Sequence, residues 1–162
     1  MGYTMFCCDG ASFGNPGAAG FGVVMRNHLC QVIGILSGGI CITTNFVAEN
    51  YAVLCAAELA GEWELQNIII SSDFKTVIEG FLKGQVPWFI RMRWQKAVKK
   101  ISSIVFQHGF REVNFSADAA AKKGACLAAG KRQLTIGRPN FLIRLEMPGV
   151  EYFRFCLDNG PL

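Results

Sequence analysis

The sequence YTMFCCD occupies residues 3–9, and this apolar run ends on an acid, which predicts a buried first strand. GASFGNPGAAG follows at 10–20, and its glycines and proline predict a turn. Two β-branched runs, at 21–26 and 31–39, are separated by Asn27-His28, which predicts a hairpin. Three leading strands in this order indicate an antiparallel meander.

The rest of the chain alternates between helices and strands. Thr44 is a predicted helix cap, since a threonine oxygen can accept from a free backbone amide. Strands that alternate with helices require parallel pairing and right-handed crossovers. The pattern therefore predicts an α/β fold with a mixed sheet, formed by helices at 46–64, 74–84, 89–102 and 115–130 and strands at 67–73 and 103–110.

Length and composition predict one domain with an extension. We expect the domain at residues 1–130 and a C-terminal extension at 131–162, in which two alternating runs around MPG predict a β-hairpin packed on the domain. No apolar run is long enough for a membrane helix, and the first residues do not resemble a secretion signal. We therefore expect an intracellular protein without a membrane partner, its compartment left open. The seven cysteines form no CxxC pair, which favours reduced thiols over a zinc site.

The acids carry the strongest functional signal. Asp9 is the one acid among the first 48 residues, and Asp73 ends the 67–73 strand in the same way. Ligands bind beyond the carboxyl ends of strands in open α/β sheets, so the two carboxylates would converge if the strands are neighbours. Glu49 and Asp118 each lie in the first turn of a predicted helix. An exposed charge or a helix cap is the alternative for any single acid, most of all for Asp118.

Clustered carboxylates repel one another unless a cation neutralises them. Hard oxygen ligands select Mg²⁺ or Mn²⁺, and a pair of such ions is the arrangement that cleaves phosphodiesters. The sequence therefore predicts a metal site built from acids.

A basic stretch lies between Glu79 and Glu112, where no acid occurs. Such a stretch is typical of a surface that meets phosphates, although a solvated helix face explains it equally well. Seven bases occur in it: Lys83, Arg91, Arg93, Lys96, Lys99, Lys100 and Arg111.

The ordered motifs resemble those of type 1 ribonuclease H, and most closely the plant ribonuclease H-like domains related to the reverse-transcriptase family. They span residues 3–130, and each alone is weak, whereas their order is specific. The matching pieces are Asp9-Gly10-Ala11-Ser12, Gly14-Asn15-Pro16-Gly17, Gly20-Phe21-Gly22, Thr44-Asn45, Ala48-Glu49, Ser72-Asp73, Arg111-Glu112-Val113-Asn114, Ala117-Asp118 and Ala121-Lys122.

The resemblance implies a ribonuclease H-like fold with a five-stranded sheet of order 3-2-1-4-5, and hydrolysis of the RNA strand in RNA–DNA hybrids. It implies that Asp9, Glu49, Asp73 and Asp118 hold two Mg²⁺ ions, which Mn²⁺ can replace. His108 stands ten residues before Asp118, the spacing of the family's mobile histidine, although a partly exposed strand histidine is an equal alternative.

The resemblance also indicates which residues meet nucleic acid. Asn15 and Asn45 correspond to positions that read the RNA backbone and its 2′-hydroxyls, the groups that distinguish RNA from DNA. The full set of expected contacts is Ser12, Asn15, Asn45, Arg91, Arg93, Lys96 and Lys100.

Departures from the family pattern leave other functions open. Phe74 stands where a serine is usual, Phe46 where a polar residue is frequent, and Val113 where glycine is common. A nucleic-acid-binding or interaction domain with little turnover is therefore the alternative to an active nuclease. A hairpin at 141–157 could also mediate a homodimer, because an edge strand invites pairing. The glycine-rich stretch 10–22 lacks a GK[ST] ending, which disfavours a nucleotide-binding loop.

Overall fold

The computed structural model describes residues 2–109 and 115–137. A sheet of six strands has the order β5-β4-β1-β2-β3-β6. The strands are β1 Thr4–Gly14, β2 Gly17–Arg26, β3 Val32–Thr43, β4 Asn67–Ser72, β5 Ser103–His108 and β6 Arg132–Ile136; the helices are α1 Asn45–Glu62, α2 Lys75–Leu82, α3 Arg91–Val98 and α4 Phe115–Ala125.

The sheet is mixed, as its sequence pattern predicts. β1 pairs with β4 and β4 with β5 in parallel, whereas β1–β2, β2–β3 and β3–β6 are antiparallel. The predicted order 3-2-1-4-5 is confirmed within this sheet. β6 adds a sixth strand beside β3, so the first residues after position 130 belong to the sheet. The predicted hairpin at 141–157 lies outside the described residues.

Several element boundaries differ from the predicted ones. The glycine-rich stretch is mostly strand, because β1 and β2 extend through it and leave only Asn15 and Pro16, joined by a cis peptide, as the turn. The hairpin after β2 is a loop of residues 27–31, in which the Asn27 side chain accepts from the amides of Leu29 and Gln31. The basic helix is shorter than predicted, since α3 covers only Arg91–Val98, and α4 ends at Ala125.

Helices cover both faces of the sheet. The larger core lies on the side of α1, α2 and α3 and includes Phe6, Leu54, Ile70 and Trp94. A smaller core lies under α4, where the chain is rich in alanine. Thr44 caps α1 as predicted, its side-chain oxygen accepting from the amide of Val47. Among the described helices, none has the length and hydropathy that a membrane span needs.

Glycines in the sheet allow α4 to approach closely. A Cβ atom at Gly22 would overlap the backbone of Ala121, and one at Gly20 would overlap that of Ala125. Gly22 pairs with Asp9 across β1 and β2. The glycines therefore bring helix α4, and Asp118 with it, close to the strand that carries Asp9.

Gly22→Ala is expected to destabilise the fold by about 2–4 kcal/mol, since the overlapping atoms belong to backbone and cannot turn away. Urea unfolding would measure the loss. Gly80→Ala is the control, because a Cβ there would lie 3.4 Å from the nearest atom, the carbonyl oxygen of Gln85, and alanine favours a helix. Equal stability of the two variants would contradict the close packing of α4.

Candidate metal centre

Three carboxylates meet near the carboxyl end of β4, beside its neighbour β1. One oxygen from each of Asp9, Glu49 and Asp73 lies within 4.8 Å of the others. Asp9 lies in β1, and Asp73 directly follows β4, whose Ser72 is in register with Cys8. Glu49 comes from the second turn of α1. The predicted convergence of the two strands is therefore present.

The close approach of α1 to β1 places Glu49 in this group. A Cβ atom at Gly10 would overlap the backbone nitrogen of Glu49, so this position has room only for glycine. Glu49 is only 2% exposed and Asp9 only 6% exposed. Burial of two adjacent carboxyl groups is costly unless hydrogen bonds or a cation compensate it.

Hydrogen bonds hold the carboxylate of Glu49, one of the buried pair formed by Asp9 and Glu49. The hydroxyl of Ser72 donates to Oε2 of Glu49 at 3.1 Å and accepts from the amide of Phe74 at 3.1 Å. The backbone amide of Gly10 also donates to Glu49. Ser72 has no exposed surface, and a buried hydroxyl needs such partners. Ser72 is not among the predicted site residues, although its position just before Asp73 in an apolar strand is a signal for such a role.

The electrostatics of the group favour a proton or a cation. Burial, followed by hydrogen bonding to Glu49 and the charges of Glu49, Asp73 and Asp118, raises the pKa of Asp9 well above its ordinary value. Burial also raises the pKa of Glu49, although hydrogen bonds from Asp9, Gly10 and Ser72 act against it. In the metal-free chain, these shifts favour a proton held between the carboxyl groups of Asp9 and Glu49.

Asp118 lies apart from the three clustered acids. It contributes to the raised pKa of Asp9 through its charge, which places it in the neighbourhood. Its carboxylate is an ion-pair partner of Lys122, with Oδ2 3.1 Å from Nζ. Among the described residues, the group that could hold an ion contains Asp9, Glu49 and Asp73 without Asp118. The predicted fourth ligand is thus nearby but paired with a lysine.

His108 ends β5 beside the cluster. Its Nε2 atom lies 3.2 Å from the backbone carbonyl oxygen of Asp73, and the imidazole is exposed. Its place in register with Ser72 brings it to the same edge of the sheet. The geometry therefore puts the predicted histidine next to one predicted ligand.

The turn before α1 gathers the three polar residues predicted to contact nucleic acid. The side-chain oxygen of Asn15 accepts from the backbone amide of Asn45 at 3.1 Å. The hydroxyl of Ser12 donates to the carbonyl of Thr43 at 2.9 Å, and the carbonyl of Gly14 is its second partner. These bonds tie the β1–β2 turn to the start of α1, four residues before Glu49.

The predicted basic contacts are spread over a wider surface. Arg91 donates from Nε and Nη2 to the carbonyl of Val86. Arg93 forms a two-pronged pair with Glu58, at 2.9 and 2.6 Å. Lys96 is exposed on α3. Lys100 lies beside Gly61 near the far end of α1, twelve residues and roughly 18 Å along the helix from Glu49. The structure therefore does not gather these bases around the acids.

The donor set fits a hard divalent cation. Three carboxylates supply the oxygen ligands that Mg²⁺ and Mn²⁺ prefer. Burial is the main cause that raises the pKa of Asp9 and of Glu49, and a positive charge beside the pair would favour the ionised carboxylates. A cation of charge two would supply that charge.

The match to a known family covers the residues of this site. The model of the family described as reverse transcriptase-like matches residues 7–124, a range that includes all four predicted acids. The chain belongs to this family. The predicted membership among ribonuclease H-type domains is thereby confirmed.

Curated and solved relatives agree with this placement. The reverse transcriptase-like chain is 32% identical to ribonuclease H of Buchnera aphidicola over 93 residues, which cover 57% of the chain and 55% of that protein. It resembles the crystal structure of RNase H1 from Halobacterium salinarum, with a TM-score of 0.67, 27% identity and coverage of 76% of the chain and 97% of the other. It also resembles LC11-RNase H1 in complex with an RNA/DNA hybrid, with a TM-score of 0.66 and 25% identity. This likeness covers 75% of the chain and 96% of the LC11-RNase H1 chain.

The sequence match spans a little over half the length of the curated relatives. These matches are bacterial and archaeal where their source is given, so the closer likeness to plant domains stays a prediction.

Proposed function

We propose that this reverse transcriptase-like chain is a metal-dependent endoribonuclease that hydrolyses the RNA strand of RNA–DNA hybrids. The observation that carries the proposal is the group of three carboxylates with oxygens within 4.8 Å, two of them buried. The names of the relatives support the reaction class, and the solved hybrid complex of LC11-RNase H1 supports the substrate class.

Each acid has a role in this proposal. Asp9, Glu49 and Asp73 would hold two Mg²⁺ ions, with Asp118 completing the set once Lys122 releases it. Bound divalent ions supply Lewis-acid activation of a water molecule and stabilise the leaving oxygen. Ser72 and the Gly10 amide keep the Glu49 carboxylate in position. The exposed imidazole of His108 donates from Nε2 to the carbonyl of Asp73, which places it beside one of the acids, where it would carry a proton to or from the reacting groups once that bond opens.

The polar turn would position the hybrid. The backbone amide of Asn45 donates to the side-chain oxygen of Asn15 at the start of α1, four residues before Glu49, which favours contact of both residues with a strand bound there. Their amide groups suit the 2′-hydroxyls of the RNA strand, which accept and donate hydrogen bonds. Bases on α3 would add attraction to phosphates that depends on salt concentration.

Cleavage of matched end-labelled substrates tests the proposal. RNA–DNA hybrid, single-stranded RNA, double-stranded RNA and double-stranded DNA of one sequence would be incubated in Mg²⁺, in Mn²⁺ and in EDTA. We expect internal cuts in the RNA strand of the hybrid only, and only with a metal. Cutting of single-stranded RNA in EDTA would contradict the proposal, because such cutting requires neither a metal held by the acids nor a hybrid.

The second candidate function is binding of nucleic acid without turnover. Two phenylalanines beside the acids favour it, since Phe46 and Phe74 pack edge to face with ring centroids 6.1 Å apart. A gel shift of the hybrid with no product in either metal would establish this function.

A further inference from the structure

Two aromatic rings flank the acid cluster. Phe46 lies in the first turn of α1, three residues and roughly 4.5 Å of helix rise before Glu49. Phe74 directly follows Asp73, and its amide donates to the same Ser72 hydroxyl that binds Glu49. The two rings meet edge to face, and Phe46 is 39% exposed. An exposed phenyl ring therefore lies within one helical turn of an acid of the cluster.

A cleft opens beside this pair. It has a volume of about 230 Å³ and lies between the start of α1 and α2. Phe46 and Pro87 provide apolar walls. The polar lining comes from Asn50, Thr76, Glu79, Lys83 and Gln85, and the Glu79 carboxylate is paired with the ammonium group of Lys75 at 3.9 Å. Lys83 is exposed and brings a positive charge to the rim. An apolar wall next to an ammonium group suits a flat ring attached to a phosphate.

Phenyl rings cannot recognise a continuous duplex by hydrogen bonding. Reading of 2′-hydroxyls or base edges requires donors and acceptors, which neither Phe46 nor Phe74 has. A base in a duplex has its faces covered by its neighbours, whereas an unpaired base can stack on an aromatic side chain. The chemistry of the pair therefore suits an unpaired base more than a paired one.

We propose that the cleft beside Phe46 binds an unpaired nucleotide of the RNA strand next to the scissile phosphate. The inference rests on the proposed function and specifies its substrate as a hybrid interrupted by an unpaired ribonucleotide. Phe46 stacks on the base, Phe74 supports the Phe46 ring, and Lys83 contacts the adjoining phosphate. The same site cuts a continuous hybrid more slowly, because the stacking contact is lost.

Two hybrids of one sequence test the proposal, one fully paired and one with a single unpaired ribonucleotide at the cut. We expect the interrupted hybrid to be cut at least fivefold faster, which is the lower end of what stacking one base on an aromatic ring supplies. Phe46→Leu keeps an apolar side chain without a π face and should bring the ratio to about one. Phe46→Tyr keeps the ring and should keep the ratio. Tyr3→Leu is the matched control, because Tyr3 is an exposed aromatic before β1, at the opposite edge of the sheet.

A binding readout separates this proposal from the proposed activity. The unpaired position would carry 2-aminopurine, whose emission falls when it stacks, and the Asp9→Asn chain would be titrated in Mg²⁺. Equal cutting rates of the two hybrids by the wild type would overturn the inference and leave the nuclease activity standing. If neither hybrid is cut, the nuclease proposal fails, and the emission then decides. A fall that Phe46→Leu abolishes supports the cleft as a nucleotide site, and unchanged emission overturns it.

Discussion

Asp9→Asn is expected to abolish metal-dependent cleavage of an RNA–DNA hybrid, with a loss of about 10³-fold or more. Asp9 supplies one of three clustered carboxylates, and ligands of a catalytic metal contribute several kcal/mol to the transition state. Initial rates in Mg²⁺ measure this loss.

The same variant should be more stable than the wild type in EDTA. Asp9 is 6% exposed, and its pKa is raised by burial and by the nearby acids, so at neutral pH folding must protonate it; an amide is neutral in both states and spares that cost. We expect a gain of about 1–3 kcal/mol in the free energy of unfolding. Glu62→Gln is the control, because Glu62 is exposed at the end of α1 and should change neither property. A destabilised Asp9→Asn chain would show instead that the carboxyl is a structural group.

The metal-free chain is expected to lose stability as the pH rises from about 5 to 8. The folded state raises the pKa of both Asp9 and Glu49, mainly by burial, so it binds protons that the unfolded chain has released. Stability from such groups is full below the ordinary carboxyl pKa and declines as the pH rises toward the folded-state values. Each proton held only by the folded chain makes the free energy of unfolding fall by about 1.4 kcal/mol per pH unit.

Urea unfolding in EDTA at a series of pH values measures this decline. Glu49→Gln should reduce the slope, and saturating Mg²⁺ should remove most of it, because a bound cation keeps the carboxylates ionised in the folded state. Glu62→Gln should retain the full slope. A metal-free chain that is as stable at pH 8 as at pH 5 would contradict the proton shared by Asp9 and Glu49.

The positions of Asp9 and Asp73 could be predicted, because they depend on the alternation of strands with helices and on the order of the strands in the sheet. Asp9 and Asp73 each follow an apolar run, and parallel neighbours place such residues at one edge of the sheet. Glu49 required the resemblance, since nothing in its own helix says which strand α1 crosses. The close approach at Gly10, which fixes that crossing, is visible only in three dimensions.

Other features lay beyond the sequence signals. β6 has the short sequence RQLTI, whose pairing with β3 is a long-range contact that no local pattern indicates. Strand β2 extends through the glycine-rich stretch, where Gly20 and Gly22 leave room for helix α4. From the sequence alone, glycines in such a stretch predict a turn. By contrast, the ion pair of Asp118 with Lys122 follows the i, i+4 spacing of a helix and could have been predicted from the sequence.

Isothermal titration of the metal-free chain with Mn²⁺, in parallel with Asp9→Asn and Glu62→Gln, tests the claim that Asp9, Glu49 and Asp73 form a metal centre. We expect saturable binding by the wild type and by Glu62→Gln, release of protons on binding near neutral pH, and at least a tenfold loss of affinity in Asp9→Asn. Equal binding by all three chains, or no binding by the wild type, would contradict the claim.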